Sequence, residues 1–246
     1  MTGSLLRLDN VTKRFRGLVA TNDVSLEVPE GAICSLIGPN GAGKSTIFNL
    51  ITGYLPLSAG EIRFGGRRID GLSTRAVSQL GLARAFQIAK PFPDLSVEDN
   101  VRIGALFGRS GPRDVAQVTA EALTLCGLDP LIERQALGLT VGNLRRLELA
   151  RAIAARPLLL LADEPCAGLN PSETDEIIDI LRSIRDRGIT VLLVEHDMGA
   201  VMRVSDTIFV LDAGRKIAEG PPAEIAGNPE VIAAYLGTPV AEAGSA

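Results

Sequence analysis

One glycine-rich run, residues 38–45, constrains the fold of this chain more than any other part of the sequence. The run consists of Gly38, Pro39, Asn40, Gly41, Ala42, Gly43, Lys44 and Ser45, which matches the pattern G-x-x-x-x-G-K-[ST]. A short apolar run, residues 32–37, precedes it, and a helix-favouring stretch follows from Lys44 to about Thr52. The glycines allow backbone N–H groups to turn inward around phosphate oxygens, and the helix N-terminus adds partial positive charge. The sequence therefore predicts a phosphate-binding loop, or P-loop, between a strand and a helix.

An acidic pair favours hydrolysis as the reaction of the bound phosphates. Asp163 and Glu164 directly follow the longest apolar run of the chain, which is typical of a buried strand. Asp163 is placed to hold Mg²⁺ through its water shell, and Glu164 is the candidate for polarising an attacking water. Such a pair can also be a helix cap or a solvated turn, but the P-loop upstream favours hydrolysis of a nucleoside triphosphate. We expect Lys44 to reach the β- and γ-phosphates and Ser45 to ligate Mg²⁺, with Thr46 as a further nucleotide contact.

The bulk composition narrows the class of protein. The chain has 246 residues, enough for one large core. Its net charge is −4, whereas most nucleic-acid-binding proteins are basic, so no nucleic-acid partner is expected. No apolar run approaches the ~18 residues of a membrane helix, and residues 1–10 do not resemble a secretory signal. A role at a membrane would therefore need partner proteins. The three cysteines, Cys34, Cys126 and Cys166, lack metal-ligand spacing, which favours buried free thiols.

Strand-like and helix-like stretches alternate along the chain, which predicts an α/β fold. Strands are expected at residues 24–28, 32–37, 158–162, 190–194 and 207–211. Helical segments are expected near residues 96–107, 113–126 and 143–155, and a further helix begins after Asn170, with Glu173 completing a capping box, and ends at Gly188. We therefore predict a single domain, residues 1–246. Residues 1–87 and 157–246 are expected to form its core, residues 88–156 an inserted helical subdomain, and residues 240–246 a frayed tail.

Taken together in this order, the motifs resemble those of the ABC ATPase family, and the resemblance extends from about residue 5 to residue 237. It implies a P-loop NTPase core of the RecA-like type, an antiparallel β subdomain and the inserted helical subdomain. It also implies that the chain binds and hydrolyses ATP with the help of Mg²⁺. Kinases and GTPases share the P-loop, but the chain has no Asn-Lys-x-Asp run for guanine recognition.

Three residues outside the P-loop and the acidic pair acquire roles from this resemblance. Gln87, where the helical insertion begins, corresponds to the family glutamine that senses Mg²⁺ and the γ-phosphate and links them to the membrane subunit. His196, the only histidine, follows the predicted strand 190–194 and corresponds to the switch histidine that contacts the γ-phosphate. Phe15 corresponds to the aromatic residue that stacks on adenine, although core packing alone could also explain it. The resemblance thus implies that Gln87 and His196 act with Glu164 in catalysis.

Two further segments resemble family loops that meet the opposite subunit of a dimer. The signature position reads Leu139, Thr140, Val141, Gly142 and Asn143, where the commonest family form is Leu-Ser-Gly-Gly-Gln. Thr140 keeps the hydroxyl and Gly142 the glycine, so this loop is expected to close over the γ-phosphate bound by the opposite subunit. The D-loop position reads Ala167, Gly168, Leu169 and Asn170. The family usually has aspartate at its end, and a plain helix cap would also explain Asn170.

Within the family, the chain resembles the ATP-binding subunits of bacterial branched-chain amino-acid importers. The stretches that carry this resemblance are residues 47–53, 84–87, 145–150, 214–220 and 234–237. The resemblance implies a second ABC ATPase subunit in a homodimer or heterodimer, two membrane permease subunits that face residues 90–100, and, indirectly, a periplasmic or extracellular solute-binding protein. The implied location is peripheral, at the cytoplasmic face of the inner (plasma) membrane. Branches that import urea, amides or aromatic acids look alike, so a related small polar solute stays open.

Two alternatives within the same family stay open. A soluble, non-transport ABC ATPase usually carries two fused ATPase modules, coiled coils or basic insertions, whereas this chain has one module and an acidic balance. A non-hydrolysing regulatory subunit would account for the altered signature, but Lys44, Glu164 and His196 argue against it.

Overall fold

The computed structural model describes residues 3–88, 90–109 and 114–236 of the chain. Its strands are β1 (Ser4–Phe15), β2 (Leu18–Pro29), β3 (Ile33–Ile37), β4 (Ala59–Phe64), β5 (Arg67–Arg68), β6 (Leu82–Ala85), β7 (Leu159–Asp163), β8 (Thr190–Val194), β9 (Thr207–Asp212) and β10 (Arg215–Gly220). Its α-helices are α1 (Lys44–Ile51), α2 (Thr74–Gln79), α3 (Val97–Phe107), α4 (Val115–Leu125), α5 (Val141–Ala154), α6 (Pro171–Asp186), α7 (Met198–Val204), α8 (Pro222–Ala226) and α9 (Pro229–Leu236). None of the helices in these ranges is long and apolar enough to cross a membrane. The tail expected to fray, residues 240–246, lies outside the described residues.

A six-stranded sheet positions the candidate site. Its strand order is β10-β9-β3-β8-β7-β6, and every neighbouring pair is parallel except β9 with β10. β3, β7 and β8 are buried along their whole length, which explains why they read as largely apolar runs rather than alternating ones. Because parallel strands end at the same edge of a sheet, the residues that follow β3, β6, β7 and β8 lie along one edge.

A second sheet, of order β2-β1-β4-β5, is antiparallel and shares a hydrophobic core with α1 and with the six-stranded sheet. The core includes Leu8, Leu26, Phe48 and Leu161. Of this sheet, the sequence pattern predicted only part of β2. The pairing of β1 with β2 shifts register repeatedly after Leu8, and such bulges break the regular alternation on which strand prediction depends.

Helices α3, α4 and α5 lie between β6 and β7 in the chain and pack on one another, as expected for the helical segments of that region. Their shared core includes Val101, Leu123 and Leu147, and it continues into α6 through Leu181. The division of the chain at residues 88 and 156 stays a prediction.

The predicted boundaries differ from the observed ones by a few residues, for local reasons. β7 begins and ends one residue later than predicted because its ladder with β6 begins at Leu159 and its ladder with β8 continues to Asp163. Helix α5 begins at Val141, two residues before its predicted start, because Thr140 caps it by accepting a hydrogen bond from the Asn143 N–H. Helix α1 ends at Ile51, so Thr52 is its C-cap rather than its last residue.

The cysteines Cys34, Cys126 and Cys166 are all buried and free, as predicted. Burial raises the pKa of Cys34 and of Cys126 to about 12, and it also raises the pKa of Cys166. None of the three thiols is therefore ionised to any extent near neutral pH.

Candidate active site

The P-loop connects β3 to α1, as the pattern of glycines predicts. Gly38 has φ +147 and Gly43 has φ +105, backbone angles that residues other than glycine rarely adopt. A Cβ on Gly38 would lie 2.1 Å from the Leu211 carbonyl oxygen, and one on Gly43 would lie 2.6 Å from the Ala20 carbonyl oxygen. Glycine is therefore required at both positions by backbone angle and by close packing against β9 and β2.

Lys44, the first residue of α1, directs its side chain back over the loop. Its Nζ donates to the Gly38 carbonyl oxygen at 2.6 Å and to the Pro39 carbonyl oxygen at 3.0 Å. Burial lowers the pKa of Lys44, and the nearby carboxylates of Glu164 and Asp163 oppose this shift. The ammonium group is thus held inside the loop with two carboxylates in its electrostatic range.

Glu164 is held at the same sheet edge by unusual backbone geometry. Its φ is +49, and its N–H donates to the Val194 carbonyl oxygen at 2.8 Å, which fixes the turn after β7 against the end of β8. A non-glycine residue in this region is strained, and such strain is common at functional sites. The turn places the carboxylate of Glu164 between Gln87 and His196. His196 Nε2 lies 2.7 Å from Glu164 Oε1, and Gln87 Nε2 donates to Glu164 Oε2.

Gln87, Glu164 and His196 follow three different strands, β6, β7 and β8, and are far apart in sequence. The structure brings them together through both oxygens of one carboxylate. The sequence-predicted catalytic residues therefore form one cluster, in which Glu164 is the central member.

Asp163, the last residue of β7, is paired with a cation that the sequence analysis did not assign to the site. Arg84 in β6 lies 2.5 Å from Asp163 Oδ2, and both side chains are almost fully buried. The guanidinium also donates to Asn49 Oδ1 at 2.7 Å and lies 5.6 and 4.8 Å from the ring centroids of Phe48 and Phe86. The sequence offered one signal, a charged arginine inside a short strand. Only the pairing of β6 with β7 shows that Arg84 lies beside Asp163.

Glu195 is a second residue that sequence analysis missed. It is buried, and its Oε1 accepts the Cys166 N–H at 2.6 Å while its Oε2 accepts the His196 N–H at 3.0 Å. The carboxylate therefore fixes the backbone before His196 against the turn that follows Glu164. Adjacent acidic and histidine residues after a strand were visible in the sequence, but nothing there indicated that Glu195 points inward.

A cavity of about 350 Å³ lies between the P-loop and two members of this cluster, Glu164 and His196. Its lining includes Phe15, Lys44, Ser45, Thr46, Glu164 and His196. Phe15 is 40% exposed at the end of β1, so core packing does not explain it, and Lys13 Nζ lies 5.0 Å from its ring centroid. An aromatic face, a loop of backbone donors and a carboxylate thus line one space, as binding and hydrolysis of a nucleotide require.

The signature residues lie outside this cavity, at the start of α5. The Thr140 hydroxyl accepts the Asn143 N–H at 3.3 Å, and Val141 is exposed. Gly142 packs so closely on α6 that a Cβ there would lie 2.8 Å from Glu173 Oε1. The signature therefore presents a capped helix N-terminus on the surface rather than contributing to the same chain's nucleotide cavity.

The D-loop residues also lie outside the cavity lining, in the turn between β7 and α6. The Ala167 N–H donates to the Glu164 carbonyl oxygen at 3.1 Å, so this turn starts directly after Glu164. Asn170 ends it as the N-cap of α6. The predicted capping box is confirmed, because Asn170 Oδ1 accepts the Glu173 N–H and Glu173 Oε2 accepts the Asn170 N–H, each at 3.0 Å.

Known proteins share both the sequence and the fold of this chain. Residues 21–167 match the family model described as ABC transporter, and residues 215–241 match the model described as branched-chain amino acid ATP-binding cassette transporter. The high-affinity branched-chain amino acid transport ATP-binding protein LivG of Salmonella typhimurium is 40% identical, over 96% of this chain and 99% of LivG.

Two solved structures of ABC transporter cassettes have the same fold. One, in its ADP conformation, is 30% identical with a TM-score of 0.87, and covers 96% of this chain and 100% of that chain. The other, a dimer in a post-hydrolysis state bound to ADP and Pi, is 26% identical with a TM-score of 0.79, over 88% of this chain and 98% of that chain.

The family model spans more than half of the chain, and LivG aligns with nearly all of it. The predicted P-loop NTPase fold is therefore confirmed by cassettes of the same architecture. The P-loop and the Glu164 carboxylate line one cavity, which is the arrangement that ATP binding and hydrolysis require. The chain belongs to the ABC transporter family, as an ATP-binding subunit that hydrolyses ATP.

Proposed function

We propose that this chain powers an importer of branched-chain amino acids or a related small polar solute, with the Gln87–Glu164–His196 cluster as its hydrolytic centre. The observation that carries the hydrolytic centre is the convergence of two side chains on the carboxylate of Glu164, beside the cavity formed by the P-loop. The identity to LivG over nearly the whole chain, and the match of residues 215–241, support the solute class.

Within the cavity, each residue type suits one task. Lys44 and the backbone N–H groups of residues 38–46 other than Pro39 bind the β- and γ-phosphates, and Phe15 stacks on adenine. Glu164 accepts a hydrogen bond from the attacking water and polarises it. His196 contacts the γ-phosphate and, with Gln87, holds the carboxylate in the orientation that this requires.

The oxygen donors at this edge fit a magnesium ion. Ser45 offers a hydroxyl on the cavity wall, Asp163 a carboxylate and Gln87 an amide oxygen, which are ligands of the hard type that Mg²⁺ prefers. When bound, the ion offsets the negative charge of the phosphates. Arg84 holds the Asp163 carboxylate in place from the protein side.

The signature and the D-loop act across a dimer. We infer that Thr140 and Gly142, at the exposed start of α5, close over the γ-phosphate bound by a second ABC ATPase subunit, in a homodimer or a heterodimer. The D-loop, residues 167–170, runs from the hydrolytic centre of one subunit toward the other. The related cassette dimer supports this arrangement.

A groove beside the hydrolytic centre suits the membrane partners. A cavity of about 300 Å³ is lined by apolar side chains, including Tyr54, Phe86, Ile103 and Phe107, with the charged pair Glu148 and Arg151. We infer that one permease subunit docks on this groove and on residues 90–100, which adjoin it where Arg151 donates to the Lys90 carbonyl oxygen. The second permease subunit docks in the same way on the second ATPase, while a periplasmic or extracellular solute-binding protein acts only through the permeases. The chain would then be peripheral at the cytoplasmic face of the inner membrane. No role for nucleic acid is proposed.

Substitution of Glu164 by glutamine tests the hydrolytic assignment. We expect Glu164→Gln to bind ATP with wild-type affinity but to lose nearly all turnover, because glutamine fills the same space without a basic carboxylate. Phosphate release and binding of a fluorescent ATP analogue measure the two properties. Glu133→Gln, the same change at an exposed glutamate, is the matched control. Wild-type turnover in Glu164→Gln would show that another group activates the water.

A further inference from the structure

Helix α5 carries three charged side chains on the face that meets the segment after β6. Arg145, Glu148 and Arg151 are spaced three residues apart, so they share one side of the helix. The same helix begins at the signature, because Thr140 is its N-cap. The signature and this charged face therefore belong to one helix.

Two of these side chains fix the backbone on either side of residue 88. Glu148 Oε1 accepts the Phe86 N–H at 3.4 Å, and its other oxygen pairs with Arg151 at 2.9 Å. Arg151 donates to the Lys90 carbonyl oxygen at 3.0 Å and lies 5.5 Å from the centroid of the Phe92 ring. The pair thus attaches the segment that contains Gln87 to α5.

Arg145 contacts two loops of the hydrolytic centre at once. One terminal nitrogen donates to the Gln87 carbonyl oxygen, and the other donates to the Ala167 carbonyl oxygen at 3.2 Å. Gln87 in turn donates to the Glu164 carboxylate, and the Ala167 N–H donates to the Glu164 carbonyl oxygen at 3.1 Å. Arg145 therefore closes a ring of contacts that passes through Gln87, Glu164 and Ala167.

We propose that Arg145 is a positioning residue for ATP hydrolysis: it holds Gln87 against the turn after Glu164 and couples Gln87 to the signature helix. Its planar guanidinium can donate in two directions at once, whereas a lysine ammonium lacks that fork. Arg145 touches neither nucleotide nor water in this role, and it acts through Gln87. The inference rests on the proposed roles of Gln87 and Glu164.

The test compares Arg145→Ala with Arg146→Ala in the full-length chain. Arg146 is the next residue of α5 but pairs with Glu176 of α6, so it is a matched control outside the ring. We expect Arg145→Ala to lower kcat by up to about 100-fold, the cost of a small misplacement of catalytic groups, without a change in the KM for ATP. Arg146→Ala should keep the wild-type kcat and KM. Arg145→Lys should recover part of kcat.

A double-mutant cycle separates positioning from structural weakening. If Arg145 acts through Gln87, then Arg145→Ala lowers kcat little further once Gln87→Ala is present. Equal fold losses in both backgrounds, or a wild-type kcat for Arg145→Ala alone, would overturn the inference. Should the alanine variant fail to fold, Arg145→Lys in the same cycle gives the same comparison. Glu164→Gln, measured in parallel, distinguishes the two failures: turnover in that variant would refute the proposed hydrolytic centre, whereas a wild-type kcat for Arg145→Ala with an inactive Glu164→Gln would refute only the role of Arg145.

Discussion

The carboxylate of Glu164 is held from three directions in the proposed hydrolytic centre. His196 contacts one of its oxygens and Gln87 the other, while the residue's own backbone is held at φ +49. A non-glycine residue in that conformation costs about 1–3 kcal/mol. Packing and hydrogen bonds elsewhere in the fold therefore maintain this geometry, and Glu195 contributes by fixing the turn after Glu164 and the backbone of His196 together.

A pH test at the residue scale concerns Glu148. Burial raises the pKa of its carboxyl group, and this outweighs the opposing effects of Arg151 and of the Phe86 N–H. Between the ordinary and the raised pKa, the folded state binds more protons than the unfolded state, so the contribution of Glu148 to the free energy of unfolding falls as the pH rises through that window. We expect Glu148→Gln to become more stable relative to wild type as the pH rises.

Urea unfolding of both proteins at about pH 5 and about pH 8 measures this difference. A difference in the free energy of unfolding that is the same at both pH values, or that shifts in favour of wild type at the higher pH, would contradict the assigned direction. Glu133→Gln, the same change at an exposed glutamate, serves as the control.

At the scale of helices and strands, the two loops proposed to cross a dimer are both helix N-termini. Thr140 caps α5 and Asn170 caps α6, and Gly142 of the first helix packs against Glu173 of the second. The starts of α5 and α6 therefore form a single surface. A side chain in either loop has a structural task in its own chain besides any contact with a partner.

Two substitutions of Asn170 separate these tasks. Asn170→Ala removes the acceptor of the Glu173 N–H, and we expect it to lower the free energy of unfolding by about 1 kcal/mol. Asn170→Asp keeps an acceptor there, so its stability should stay near wild type. Thermal or urea unfolding measures both. Equal stability of Asn170→Ala and wild type would show that the cap contributes nothing measurable.

The elements that were predictable from sequence are those with a local pattern. The strand, glycine loop and helix around Lys44 follow each other directly, and the capping box of Asn170 spans four residues, so both could be recognised without a fold. The pair formed by Arg84 and Asp163 could not, because its members meet only through the pairing of β6 with β7. Arg145 was likewise invisible as a site residue, since its partners are backbone carbonyls of two distant loops.

At the scale of the whole molecule, two consecutive residues, Phe86 and Gln87, connect the apolar groove to Glu164, which lines the nucleotide cavity. The groove is lined by Phe86, and the residue after it, Gln87, contacts Glu164. A partner that pushes on the groove therefore acts within one residue of the hydrolytic centre. In the proposed docking arrangement, this proximity would give transport and hydrolysis a short mechanical connection.

Phe107 provides a test of the groove. Its side chain is 77% exposed at the end of α3, so Phe107→Ser removes apolar contact surface without disturbing a core. We expect this variant to recover much less permease from detergent-solubilised membranes than wild type, with unchanged ATP affinity. Ile232→Ser, at an exposed apolar residue of α9, is the matched control. Equal permease recovery by both variants, measured by mass spectrometry, would place the docking surface elsewhere.

The burial of Cys34, Cys126 and Cys166 has a practical consequence for following the motion of this molecule. Alkylating dyes react with thiolates, and these buried thiols, with their raised pKa values, will label slowly. A single cysteine introduced on the surface would carry a fluorophore without removal of the native ones. The proposed closure of two subunits around ATP could therefore be recorded optically on an otherwise wild-type chain.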